Sequence, residues 1–151
     1  MIQPGTWSFV FNINLKRPVK TVSASVTVEV LQPPPHEQDA LEEFLKIPGI
    51  EAIMHYLNAE AAGNKSREAL EAFTLKYKGT RYGDYAQFCI AKSMLPIPEW
   101  DERGLEWAKP AEALPIFLRL SALPYQEFSL VGDSLYYLAV CHYLLGEKEQ
   151  S

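Results

Sequence analysis

A chain of 151 residues makes one ordinary domain or two small ones, and it can bury roughly 70% of the surface it exposes when unfolded. With 48% hydrophobic and 22% charged residues it has the composition of a globular protein and not of a disordered one. A net charge of −5, with Lys16-Arg17 as the longest cationic run, argues against a surface for nucleic acid or an anionic membrane.

Residues 1–32 read as strands. Trp7, Phe9, Phe11, Ile13 and Leu15 alternate with Ser8, Val10, Asn12 and Asn14, so residues 6–15 have one apolar face. Val22, Ala24, Val26, Val28 and Val30 repeat the pattern across residues 22–31. Residues 16–20, with Pro18 among them, are the natural connection, because proline cannot donate to a central ladder. Two strands alone are marginal in water, so the hairpin needs a partner surface. Residues 33–38, with Pro33-Pro34-Pro35, predict a stiff linker and the domain boundary.

The period changes after the linker. The pattern predicts a short helix from Asp39, broken at Pro48-Gly49, then a helix over 51–62 closed by Gly63-Asn64. Ser66 is the expected cap of a helix over 67–78, which Gly79 ends. A helix over 82–95 stops at Pro96 and Pro98. A less regular stretch over 97–109 carries Trp100 and Trp107, which are expected to pin it down. Pro110 opens a helix over 111–123, with Pro115 inside it, and residues 128–146 form the last helix. No apolar stretch reaches the ~20 residues of a membrane span. The nearest, residues 132–146, is interrupted by Asp133, Ser134 and His142.

The helical part contains a repeat. Ala69-x-x-x-Phe73 recurs as Ala113-x-x-x-Phe117, and Ile90-Ala91 recurs as Leu138-Ala139 on the helices that follow. The run Leu135-x-x-Leu138-Ala139-x-x-His142-x-x-x-Gly146 resembles the first part of the tetratricopeptide pattern, over about residues 51–151. His142 and Leu135 stand where that family usually has tyrosine and tryptophan. The spacing from Ala69 to Ala113 is longer than the family's ~34 residues, and an insertion near residues 96–109 accounts for the excess. Pro4-Gly5-Thr6-Trp7, followed by a strand, a turn and Ser25-Val26-Thr27-Val28-Glu29-Val30, looks like the closing strands of a bacterial immunoglobulin-like sandwich. The expected fold is therefore mainly α with a small β part. It comprises an antiparallel helix-pair, tetratricopeptide-like stack over 39–151 and an N-terminal β-hairpin.

The tetratricopeptide resemblance implies a groove lined by the first helix of each pair. By position that groove takes Tyr85, Phe88 and Lys92 from one helix and Tyr136, Val140 and Tyr143 from another. Such a set suits a peptide with an apolar side chain and a carboxylate; the competing expectation is that these are core residues.

The histidines His36, His55 and His142 lie on separate elements, and Glu42-Glu43 reads as a solvated helix face. Ser23 and Ser25 lack a His or Asp arrangement, and Gly79 and Gly83 lack phosphate-loop spacing. Cys89 and Cys141 sit in apolar helical patterns and predict buried free thiols, with a disulfide as the alternative. No CxxC or Cys/His cluster suggests zinc, and no cofactor is expected.

The last helix is apolar nearly all round, and such helices are normally buried. Its cover is missing from the sequence, or comes from the hairpin or another copy of the chain. We therefore expect a non-catalytic protein-interaction scaffold, a fragment of a larger bacterial envelope protein. A self-association element using the last helix and the hairpin edge, giving a homodimer, is the alternative, as is an accessory domain of an upstream enzyme. The immunoglobulin resemblance implies a periplasmic or secreted location. The N-terminus lacks a signal peptide's charged start and apolar core, which keeps a cytoplasmic location open.

Overall fold

In the computed structural model, which describes residues 5–16, 19–30, 32–96, 106–123 and 130–146, the chain is mainly helical with a small β part. It divides into two units, Met1–Pro35 and His36–Ser151.

In the first unit, β1 (Gly5–Lys16) and β2 (Val19–Val30) form a two-stranded antiparallel sheet. The register sets Trp7 opposite Val28, Phe9 opposite Val26 and Ile13 opposite Val22. The strands run further than the alternation predicts, since Lys16 pairs with Val19 and the expected connection over 16–20 shrinks to residues 17–18. β-Branched Val19 suits a strand better than a turn.

In the second unit the helices are α1 (Pro35–Phe44), α2 (Ile50–Tyr56), α3 (Asn64–Lys76), α4 (Arg81–Ser93), α5 (Pro110–Ser121) and α6 (Leu130–Leu144). Three boundaries depart from the sequence reading. α1 opens at Pro35 and not at Asp39, because proline fits the first helical position, where an N–H has no partner anyway. The expected helix over 51–62 divides: Leu57 takes the left-handed conformation at φ 48°, and a 3₁₀ turn, Ala59–Ala62, follows with Asn58 capping it. Ser66 is not a cap but lies buried inside α3, where its hydroxyl donates to the Ala62 carbonyl at 3.0 Å.

Two cores share α4. On one side Ala86, Cys89 and Ile90 join Phe44, Ile47, Ile53, Leu70 and Phe73. On the other, Phe88, Ala91 and Leu95 join Ala113, Phe117, Leu120, Leu130 and Cys141. The spacings 86–89–90 and 88–91–95 are both helical, so one helix presents two apolar stripes. α4 contacts α3, α5, α6 and the 3₁₀ turn. Both repeated phenylalanines, Phe73 and Phe117, are buried, as is Ala113. The stretch between α4 and α5 begins and ends at one point, where the Lys109 N–H donates to the Met94 carbonyl at 2.9 Å. Trp107 is half-buried there, and Trp100 lies outside the described residues.

The first turn of α4 is tied to three other parts of the unit. Thr80 caps it, accepting from the Gly83 N–H at 3.1 Å. The buried Glu37 of α1 accepts the Arg81 N–H at 3.0 Å. Asp84, 3% exposed, receives the Arg119 guanidinium of α5 at 2.7 Å, and that same nitrogen donates to Gln87 at 2.6 Å. Gly83 must be glycine, because a Cβ there would stand 2.2 Å from the Tyr77 carbonyl oxygen. Helix propensity favours Gly83→Ala by up to about 1 kcal/mol, but the clash costs typically about 1–3 kcal/mol. Since the obstacle is backbone, the clash wins: Gly83→Ala should lower the urea midpoint, and an unchanged or raised midpoint would refute this packing.

Candidate functional site

α6 has two apolar faces. Leu130, Ser134, Tyr137, Leu138, Cys141 and Leu144 recur at helical spacing and pack against the second core. The opposite side carries Gly132, Tyr136, Ala139 and Tyr143, with Leu135 at its flank; Val140 lies at the edge of the packed side. Tyr136, Tyr143 and Leu135 are 59%, 65% and 54% exposed. Asp133 is the only carboxylate on the helix, which has no Lys or Arg.

Tyr137 holds this helix against the core. Its ring stacks on Phe117 at 5.3 Å and meets Phe88 edge-on at 5.8 Å. Tyr136 then lies edge-on to Tyr137 at 5.1 Å, so a run of aromatic contacts leads from the buried Phe88–Phe117 pair to an exposed ring. Tyr137 is half-buried, and burial pushes its hydroxyl up to about 12.

Lys92, in the last turn of α4, lies beside this run. Its ammonium donates to the Tyr56 carbonyl at 2.9 Å and stands 5.6 Å from the Tyr137 ring centre. Burial depresses its pKa, against the opposing influence of Cys89 and Asp133. Tyr56, at the end of α2, leaves its own ring 61% exposed, edge-on to His55 at 4.7 Å.

The six residues expected to line a groove therefore separate. Tyr136 and Tyr143 face outward. Lys92 is half-buried between α2 and α6. Tyr85 and Val140 are half-buried packing residues, and Phe88, 1% exposed, belongs to the core. Tyr56 joins the site unannounced, because a continuous helix over 51–62 would have carried its carbonyl in the helical ladder. Two grooves lie elsewhere among the described residues. One of 360 Å³ runs over Ile47, Ala69, Ala72 and Phe73, with the Glu43–Lys76 ion pair on its rim. The Lys76 hydrogen bond holds the Glu43 carboxyl below its usual value. The other, of 310 Å³, lies between Leu75, Ile90 and Ile116.

Glu42 and His55 are exposed and Glu43 is held by Lys76, so these side chains stand apart. Among the described residues, no three His, Cys, Asp or Glu side chains gather where they could hold a metal ion, and no helix is long and apolar enough to cross a membrane. Both cysteines are free and buried. Comparison with family models, curated proteins and solved structures gives no match.

Burial raises the Cys89 thiol to about 12, and the Cys141 thiol to about 11. Neither thiol should react with a disulfide reagent at pH 8 until the protein unfolds. Because both thiols and Tyr137 ionise more readily in the unfolded chain, their contribution to stability is full below about pH 9. It is lost as pH rises through about 11–12. Lys92, depressed by burial, works in the opposite sense and offsets part of this. Urea midpoints should fall between pH 9 and 12, and less steeply in Cys89→Ala. A flat profile, or rapid labelling of the folded protein, would contradict the burial of these groups.

Proposed function

We propose that this chain is a non-catalytic protein-interaction scaffold built like a tetratricopeptide stack, in which the outer face of α6 and the adjacent Lys92 receive another polypeptide. The observation that carries the reading is the exposed pair Tyr136 and Tyr143, on a helix whose opposite face is locked into the core by Tyr137. Solvent-facing tyrosines on a rigid support are favourable anchors, since two torsions per side chain cost little entropy on binding. Scattered single apolar residues need no explanation, but three large ones on one side of a 15-residue helix lacking Lys and Arg form a patch.

The stack reading draws support from the order of contacts: α4 packs on α3 and α5, α5 on α6, and α4 also touches α6. This is the neighbour pattern that repeated helix pairs use to cover one another's apolar stripes. The clasp between Met94 and Lys109 fits an insertion that lengthens one repeat without disturbing the stack.

Panning a random peptide library on the folded protein tests this function. Peptides selected on it should bind the Tyr136→Ala/Tyr143→Ala variant at least tenfold more weakly, a loss of about 1.4 kcal/mol. The unfolding free energy should move by less than about 0.5 kcal/mol per substitution, since both rings are exposed. Binders indifferent to both tyrosines and to Lys92→Ala would place the interaction elsewhere and overturn the assignment.

A further inference from the structure

We infer that the outer face of α6 pairs with the same face of a second copy of this chain, as an antiparallel helix pair about a two-fold axis. The inference rests on reading this face as an interaction surface and names its occupant.

The first observation is Gly132. It lies in the first turn of α6, its φ is not left-handed, and a Cβ added there would meet nothing within 4 Å. Among the described residues, nothing packs closely enough to call for glycine at this position. Its effect is to leave a notch in an otherwise bulky face. The second is spacing. Gly132 and Tyr143 are eleven residues apart, close to three turns, so they lie on one line along the helix. Their midpoint falls between Tyr137 and Leu138, and the pair Tyr136 and Ala139 has the same midpoint.

An isologous contact requires that if residue i meets j, then j meets i. Antiparallel pairing about this midpoint sets Tyr143 of each copy against Gly132 of the other, and Tyr136 against Ala139. Large meets small at both places in both directions. Within α6 no Lys, Arg or Glu is drawn in, and the two Asp133 side chains lie toward opposite ends of the contact.

The area is enough for a weak dimer. A tyrosine buries roughly 150–250 Å², so exposures of 59% and 65% leave on the order of 100–150 Å² on each ring. With Leu135 and Ala139 one copy offers on the order of 350 Å², and the pair on the order of 700 Å², below the roughly 1,200 Å² of stable specific interfaces and in the range of weak, transient contacts. The dimer expected from such an area is weak and reversible.

Sedimentation velocity on the full chain from about 5 to 500 μM should show the mass rising from one chain toward two. Gly132→Gln fills the notch with a good helix former, so it should weaken the dimer at least tenfold while the urea midpoint holds or rises. Mixing Gly132→Cys with Tyr143→Cys under mild oxidation should give the mixed disulfide dimer. Neither variant should cross-link with itself, because in this register like positions lie about 16 Å apart, beyond disulfide reach. A mass independent of concentration, a dimer untouched by Gly132→Gln, or self-cross-linking of either variant would each overturn the pairing. A monomer that still selects Tyr136-dependent peptides would leave the scaffold function standing with a different occupant.

Discussion

The helical unit depends on satisfying the first turn of α4. A helix buried on two sides cannot hydrate its leading N–H groups, and each one left unpaired costs about 1–3 kcal/mol. Two segments meet this demand, and a third neutralises the carboxylate beside them. Thr80 supplies the local cap, Glu37 reaches from α1 to the Arg81 N–H, and Arg119 of α5 neutralises the buried Asp84. The carboxylates also sit at the favourable end of the helix dipole. These bonds tie α1, the α3–α4 turn and α5 to one point, and the two cores can then close on either side of α4. Gly83 belongs to the same arrangement, since only its missing side chain lets the Tyr77 carbonyl approach.

From that point the structure grows outward to α6. The second core accepts only one side of this helix, through Leu130, Cys141 and the Tyr137 ring stacked on Phe117. The remaining apolar side is presented to solvent on a support that the aromatic contacts keep rigid. Lys92 links this helix to α2 by spanning from Tyr137 to the Tyr56 carbonyl, which is free to accept because Leu57 turns the chain out of the helix. The left-handed Leu57 carries backbone strain, and its side chain packs against both cores in return.

Much of the fold is legible from local chemistry. Period-two alternation marks the strands, and helical spacing with glycine and proline stops marks the helices to within a few residues. The misread boundaries share a cause. Nothing near Leu57 signals a left-handed residue, since glycine or asparagine is the usual sign, so the break between α2 and the 3₁₀ turn stays hidden. Ser66 has the chemistry of a cap but is drawn inside α3 because a buried hydroxyl can return its hydrogen bond to the preceding turn. Within the site, spacing alone places Tyr85, Phe88 and Lys92 on one side of a helix. It cannot tell that Phe88 meets Phe117 and Tyr137 while Lys92 stays half in solvent.

The residue pattern by itself therefore determined the class of fold, the order of elements and the apolar excess of the last helix, because each is a property of neighbours along the chain. Tertiary structure decided which side of α6 is covered, which of six candidate residues remain open, and how the first turn of α4 is bonded, its backbone by Glu37 of α1 and its Asp84 side chain by Arg119 of α5. Those outcomes depend on contacts between residues about 30–45 positions apart, as with Glu37 and Arg81 or Asp84 and Arg119. No local periodicity encodes such distances.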